Sequence, residues 1–243
     1  SNWPGYMDTD EKTGARPSLD TFVKQTGINA TYNEDINDNN EFYAKVRPQL
    51  DAGQSIDRDL VTPTDWMAAM WLEKGYLQRI DKANTGNFNL NLGRAWRNAQ
   101  YDPGRDYTVP WQSGFGGIGW NRKLLKEVTG KDELKTVDEL WDPKLKGRIT
   151  ILAEIRESVG LILMAMGKRA DNFTDADYEA AVALLQDQID KGQIRQVTGN
   201  DYKAAMAAGE VIASIAWSGD MLNDPETYGF SVPESGCTMF TDN

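Results

Sequence analysis

The chain has 243 residues, of which 40% are hydrophobic and 26% are charged, and its net charge is −11. It contains no histidine and a single cysteine, Cys237, which excludes histidine-based catalysis, the commonest transition-metal ligand and an internal disulfide. The negative charge argues against nucleic-acid binding, and no apolar run approaches the roughly 20 residues that cross a bilayer. We therefore predict a globular protein with no cofactor, no metal site and no nucleic-acid partner.

The first hundred residues alternate helical patterns with short apolar runs. Pro17 and Gly27 are typical of the start and stop of a helix, and Thr64 precedes another helical pattern that extends to about Lys74. Helices are predicted at 17–26, 39–52 and 64–74, strands at 28–32 and 58–64, and irregular chain at 82–107. This alternation is typical of a parallel sheet.

The second half resumes the alternation after an extended, Gly-rich segment at 107–121. Strands are predicted within 147–152 and 210–217, and extended chain at 228–243. Helices are predicted at 136–141, 156–170, 175–192 and 201–209, with Thr174 or Asp175 as the cap of the third. The fold class is therefore α/β.

Ligands of open α/β sheets bind beyond the carboxyl ends of the strands. Five such ends carry an aromatic residue, a carboxylate or both: Trp3 and Tyr6; Thr64, Asp65 and Trp66; Glu154 and Glu157; Trp217 and Asp220; Phe240 and Asp242. Carboxylates form charge-assisted hydrogen bonds with ammonium groups, and aromatic faces attract cations by about 0.5–2 kcal/mol. Together these residues predict a site for an elongated alkylamine.

Most of these residues also have a simpler explanation when taken alone. Thr64 and Asp65 are good helix caps, and Glu154 and Glu157 are favourable at a helix N-terminus. The tryptophans are also typical of a core, and the remaining aspartates of turns. The joint pattern at five strand ends is what favours a ligand site.

Several motifs match one known family along nearly the whole chain. They include "NWPGY", "DLVTPTDW", "ELWDPKLKGRI", "MAAGEV…IAWSGD" and "VPESG…FTDN". With these motifs the chain resembles the substrate-binding proteins of bacterial polyamine ABC transporters, the spermidine/putrescine-binding family.

The resemblance implies a two-lobe periplasmic-binding-protein-like fold of type II topology with hinge strands between the lobes. It places part of lobe 1 at 1–108, a hinge crossing at 109–119, lobe 2 at 120–237 and the start of the return crossing at 238–243. The family also continues past this return crossing, so the resemblance leads us to expect that the C-terminal part of lobe 1 is absent from this chain.

The resemblance also implies roles for individual residues. Trp3, Tyr6, Trp66, Trp217 and Phe240 match aromatic residues around the ligand, Thr64 matches a small hydroxyl residue, and Glu154, Glu157 and Asp242 match carboxylates that bind amines. Asp65 and Asp220 are candidates from their position alone. Glu154 stands where the family commonly has Asp, Trp66 where it has Tyr and Phe240 where it has Trp, which suggests a shifted preference among amines.

The implied function is that of a receptor without catalytic activity. It would bind a putrescine- or spermidine-like cation in the cleft between the lobes, act as a monomer in the periplasm or as a surface lipoprotein, and deliver the ligand to an ABC permease. Two alternatives remain open: a binder of an ω-amino acid, sugar or ferric ion on the same scaffold, and a glycoside hydrolase with a carboxylate pair. A carboxylate-bearing ligand would need an arginine, and Arg156, the only one near the site, is expected to orient the glutamates.

Overall fold

The computed structural model describes residues 1–10 and 12–243. The backbone divides into two compact units. Unit 1 comprises Ser1–Gln112 and Thr241–Asn243, and unit 2 comprises Ser113–Phe240.

The described chain is α/β, as predicted. Its α-helices are α1 (Pro17–Thr26), α2 (Asn39–Asp51), α3 (Asp65–Glu73), α4 (Gly86–Asn91), α5 (Arg122–Thr129), α6 (Ile155–Ala165), α7 (Asp175–Asp190), α8 (Tyr202–Ala207) and α9 (Ser218–Leu222). Its strands are β1 (Gln112–Asn121), β2 (Ile149–Leu152), β3 (Ile194–Thr198), β4 (Ala213–Trp217), β5 (Tyr228–Ser231) and β6 (Thr238–Asp242). Short 3₁₀ helices occupy 82–84, 94–96, 137–141 and 143–145. Among the described helices, none has the length and apolarity needed to cross a membrane.

Unit 2 is built on a mixed sheet in the order β3-β2-β4-β1-β5, and β6 also pairs with β1. β2 is parallel to both β3 and β4, whereas β1 is antiparallel to β4 and β5. All four residues of β2 are buried, as expected for a central parallel strand covered on both faces. The alternation of strands and helices in the second half of the sequence is therefore confirmed.

The core of unit 2 lies between this sheet and its helices. Ile118, Leu125, Leu161 and Ile215 are fully buried within it. Burial of each such side chain stabilises the fold by about 1.5–3 kcal/mol. The predicted start of α7 is also confirmed, because the Thr174 side chain accepts the Asp177 N–H in a capping box.

Unit 1 has a smaller core, formed mainly by α2, α3 and the start of the chain. Trp3, Ile36, Phe42 and Trp71 are buried there, and the rings of Phe42 and Trp71 stack with centroids 6.5 Å apart. α2 continues past Pro48 and ends at Asp51.

The predicted strands at 28–32 and 58–64 are wrong. A strand forms where a neighbour offers hydrogen bonds over several residues. Among the described residues of unit 1, the β-bridges near these segments are isolated ones, from Asn2 to Glu34 and from Thr64 to Asp242. The Thr62 N–H also donates to the Ser1 carbonyl (3.0 Å), but no continuous strand pairing forms. The apolar residues that suggested buried strands are exposed, Ile28 at 56% and Leu60 at 83%. The segment predicted as irregular, 82–107, contains α4 and two of the 3₁₀ helices.

The last residues of β6 are anchored within unit 1 by three hydrogen bonds. The Trp111 N–H donates to the Asp242 carbonyl (2.7 Å), and the Asn243 N–H donates to the Pro63 carbonyl (2.9 Å). Nη1 of Arg105, which is 4% exposed, donates to Oδ1 of Asn243 (2.7 Å). These bonds fix the peptide group that follows Asp242 and the side chain of Asn243.

Candidate functional site

The predicted site residues form two sets, one in each unit. Unit 1 holds Trp3, Tyr6, Thr64, Asp65, Trp66 and Asp242. Unit 2 holds Glu154, Glu157, Trp217, Asp220 and Phe240.

Asp242 is the centre of the unit 1 set. It is only 1% exposed. The Thr64 hydroxyl donates to Oδ1 (2.8 Å), and the Tyr6 hydroxyl donates to Oδ2 in a short hydrogen bond. Three residues that are far apart in the sequence are thus brought together, and each carboxylate oxygen is oriented by a hydroxyl group.

Thr64 occupies the position before α3 where a helix cap is expected. Its carbonyl accepts the N–H groups of Met67 and Ala68, both at 2.9 Å. Within the described helix its side chain makes no capping hydrogen bond, and its hydroxyl is directed at Asp242 instead. Helix capping therefore does not account for a hydroxyl residue at this position.

The other unit 1 candidates lie around this centre. Trp3 is 4% exposed, its indole N–H donates to the Thr62 carbonyl (2.8 Å), and its ring centroid lies 6.5 Å from that of Tyr6. Trp3 is thus a buried support for Tyr6. Oδ1 of Asp65 accepts the N–H of Trp66 (2.8 Å), and Trp66 is half-buried in the first turn of α3.

Glu154 and Glu157 lie at the N-terminus of α6, and each is 4% exposed. Glu154 is the N-cap, and its Oε1 accepts from the backbone N–H of Arg156 (3.4 Å) and from the guanidinium Nη1 of the same residue (3.3 Å). The helix N-terminus stabilises negative charge at this point. The expectation that Arg156 contacts the glutamates is confirmed for Glu154.

Glycines of β1 provide the space for two of the candidate side chains. A Cβ atom on Gly116 would lie 2.8 Å from Cγ of Glu157, and one on Gly114 would lie 2.7 Å from the Phe240 ring. Residues i and i+2 share one face of a strand. Because Gly114 and Gly116 have no side chains, Glu157 and Phe240 can pack directly against this face of β1. Sequence reasoning noted a Gly-rich segment but missed this role, which the alternate spacing of Gly114 and Gly116 could have signalled.

Trp217 and Phe240 form an aromatic pair in unit 2. Their ring centroids are 6.5 Å apart at 71°, an edge-to-face arrangement, and both residues are half-buried. On its other side Trp217 contacts Tyr202, with centroids 6.1 Å apart. Tyr202 is fully buried, and the sequence analysis missed it because it predicted no strand where β3 ends, at Thr198, shortly before α8.

Asp220 is bound by two donors from α8. The Tyr202 hydroxyl donates to Oδ2 (2.7 Å), and Nζ of Lys203 donates to Oδ1 (3.0 Å). The Tyr202 hydroxyl oxygen also accepts a hydrogen bond from the backbone N–H of Trp217 (3.3 Å). Asp220 is therefore tied to the aromatic pair through Tyr202 and carries its own cation, Lys203.

No group of three or more acidic or cysteine side chains within the described residues has the arrangement of a metal site.

The fold matches solved structures of one class of protein. The substrate-binding protein PotD of a spermidine/putrescine ABC transporter from Streptococcus pneumoniae has a TM-score of 0.70 and 23% identity, over 100% of this chain and 69% of that chain. The Tp0655 (TpPotD) lipoprotein of Treponema pallidum has a TM-score of 0.78 and 20% identity, over 99% of this chain and 72% of that chain. The fold is that of the type II periplasmic binding proteins, as predicted.

Within this class, a family model described as "Bacterial extracellular solute-binding protein" matches residues 18–242. The chain belongs to this family.

Curated relatives confirm the resemblance that the motifs predicted. A spermidine/putrescine-binding periplasmic protein of Salmonella typhimurium is 27% identical over 218 residues, which cover 90% of this chain and 57% of the relative. The putrescine-binding periplasmic protein SpuD of Pseudomonas aeruginosa is 26% identical over 257 residues, which cover 99% of this chain and 66% of the relative. The chain thus spans between about half and two thirds of the length of these relatives.

Proposed function

We propose that this chain is a ligand-binding part of an extracytoplasmic receptor that captures a small di- or polyamine for an ABC importer. The names of the matched relatives support this ligand class. The chain's own residues support it independently. In unit 1 the Tyr6 hydroxyl donates to the buried Asp242, and in unit 2 the buried Glu157 and the ring of Phe240 lie against the same face of β1.

The buried carboxylate of Asp242 is the observation that carries this proposal. Burial of a carboxylate is costly unless hydrogen bonds and charge compensate it. Tyr6 and Thr64 orient both of its oxygens with neutral hydroxyl donors. A carboxylate accepts charge-assisted hydrogen bonds from an ammonium group, and each such bond contributes about 1.5–3 kcal/mol.

Unit 2 supplies the matching chemistry. Glu157 and Glu154 place two more buried carboxylates at one helix terminus, and the Trp217–Phe240 pair offers aromatic surface. We propose that these carboxylates bind ammonium groups of the ligand and that its methylene groups pack on the rings.

The candidate residues then divide by role. We propose that the ligand is contacted directly by Tyr6, Thr64, Trp66, Glu154, Glu157, Trp217, Phe240 and Asp242. Trp3 packs against Tyr6 and supports it. Asp65 stabilises the first turn of α3 by accepting the Trp66 backbone N–H. Asp220, predicted from position as a ligand carboxylate, is proposed instead as an anchor of Tyr202, since Lys203 already compensates its charge.

Function as a receptor further requires that the ligand favour one arrangement of the units over another. A ligand shifts such an equilibrium only by its difference in affinity for the two states. We propose that the crossings at 109–119 and 238–243 are the hinge of this motion, that the protein is a monomer in the periplasm or a surface lipoprotein, and that an ABC permease is its partner.

In this proposal the protein binds its ligand without chemical conversion. Arg156 favours an amine over an ω-amino acid, because its guanidinium donates to Glu154 and so serves a carboxylate of the protein itself.

A thermal-shift screen of the full-length protein tests the proposed function. Putrescine and spermidine are compared with γ-aminobutyrate, glucose and an aryl glycoside. A ligand at a hundred times its Kd stabilises the folded state by about 2.7 kcal/mol, which corresponds to roughly 5–10 °C for a protein of this size. Shifts confined to the amines support the proposal. A shift with glucose or γ-aminobutyrate alone, or turnover of the glycoside, would overturn it.

A further inference from the structure

Asn39, at the start of α2, forms a two-point contact with Thr64. Its Nδ2 donates to the Thr64 hydroxyl oxygen (2.8 Å), and its Oδ1 accepts the Thr64 backbone N–H (3.1 Å). Asn39 is 4% exposed and Thr64 is 7% exposed, so solvent does not compete strongly for these bonds.

The chemistry of these groups fixes the direction of each hydrogen bond. The Thr64 backbone N–H is only a donor, so the amide oxygen of Asn39 must face it. The amide nitrogen of Asn39 then faces the Thr64 hydroxyl oxygen and donates to it. The single hydroxyl proton of Thr64 is left to point at Oδ1 of Asp242, 2.8 Å away.

We infer that Asn39 is a positioning residue for Asp242 that acts through the Thr64 hydroxyl, an inference that rests on the proposed role of Asp242 in amine binding. By holding the hydroxyl as a donor, Asn39 keeps Oδ1 of Asp242 an acceptor. An acceptor selects a guest that ends in a donor, which favours an ammonium group over a carbonyl or carboxylate end.

A purely structural role would use the same side chain differently. In that case the important bond would be the one from the Thr64 N–H to Asn39 Oδ1, which ties α2 to the segment before α3. Asn39→Asp separates the two roles, since it keeps an oxygen for this N–H and replaces the amide donor with an acceptor. The Thr64 hydroxyl then has a second carboxylate to which it can donate.

The test is a double-mutant cycle on the full-length protein, with spermidine and putrescine titrated by calorimetry. Asn39→Asp is expected to weaken amine binding about tenfold when Thr64 is present, but less than about twofold in a Thr64→Val background, where the hydroxyl is absent. Losses that are equal in both backgrounds would overturn the inference. Asn40→Asp, which adds the same charge at the exposed next position of α2, is the control and is expected to retain affinity.

A second cycle needs no ligand and separates this inference from the proposed function. Urea unfolding of Asn39→Asp, Asp242→Asn and the double variant is expected to show a coupling of about fivefold in the unfolding equilibrium constant. The coupling is expected to vanish with Thr64→Val. Additive effects would overturn the inference even if amines bind. Coupling without amine binding to the wild type would support the relay and overturn the proposed function.

Discussion

Substitution of Gly116 by alanine tests how β1 positions Glu157. The new Cβ would clash with Oγ1 of Thr238 and would lie 2.8 Å from Cγ of Glu157, whereas carbon atoms in contact are normally about 3.5–4.0 Å apart. Thr238 and Glu157 must therefore both shift, and for Glu157 this means a movement of roughly 1 Å or a change of rotamer. Overpacking of this kind costs about 1–3 kcal/mol of folding stability.

The larger effect is expected on ligand affinity. A charge-assisted hydrogen bond spans about 2.7–2.9 Å, so a carboxylate displaced by roughly 1 Å no longer makes it. The loss of about 1.5–3 kcal/mol corresponds to a roughly 10- to 100-fold weaker Kd for the amine.

Gly119→Ala is the matched control for this experiment. Gly119 lies on the same strand, but an odd number of residues away and hence on the opposite face. Its Cβ would lie 2.7 Å from Sδ of Met221 and 2.8 Å from Cβ of Ala216. Both variants are expected to unfold at lower urea concentration, and only Gly116→Ala is expected to lose amine affinity by calorimetry. Equal affinity loss in both, or none in Gly116→Ala, would refute the reasoning.

Three further changes are expected to have separable effects. Asp242→Asn keeps the shape of the side chain and removes its charge, so amine affinity should fall at least about tenfold while the Tm changes little; unchanged affinity by calorimetry would remove Asp242 from the site. Trp217→Ala should weaken amine binding by about 1–2 kcal/mol, and full affinity would show that its ring does not contact the ligand. Hydrogen bonds from Lys168 and then Thr174 lower the pKa of Asp177 to about 2 from its ordinary 3.8. Its contribution to stability is therefore complete above pH 3.8 and is lost as the pH falls through about 2. Asp177→Asn should lower the Tm at pH 6 and match the wild type near pH 2, and a Tm difference that persists at pH 2 would contradict this cause.

The sequence was most informative where a local residue pattern directly reflects burial in the folded protein. The run Ile149–Leu152 is apolar except for Thr150, as is typical of a strand covered on both faces, so β2 was predictable. In unit 1 the segment 58–64 was likewise predicted as a short buried strand and was wrong, because a strand also depends on a neighbour that pairs with it over several residues.

The candidate site was also predictable from the sequence only in part. A carboxylate after β4 was visible in the sequence as Asp220, but its neutralisation by Lys203 depends on how α8 packs beside α9. In the sequence Thr64 was typical of a helix cap. Only the structure, which places Asp242 beside it, shows that the Thr64 hydroxyl donates to Asp242. Asn39 and Tyr202 carry no local signal, since each acts by orienting another side chain.

β6 has a consequence for any movement between the units. Phe240 is the last residue of unit 2 on this strand, and Asp242 belongs to unit 1, with Thr241 between them. An extended chain rises about 3.3 Å per residue, so the Cα atoms of Phe240 and Asp242 stay within about 7 Å of each other however the units rearrange. This ring and this carboxylate, both proposed to contact the ligand, are therefore kept close together by the covalent chain itself, and we expect them to act on a ligand as a pair.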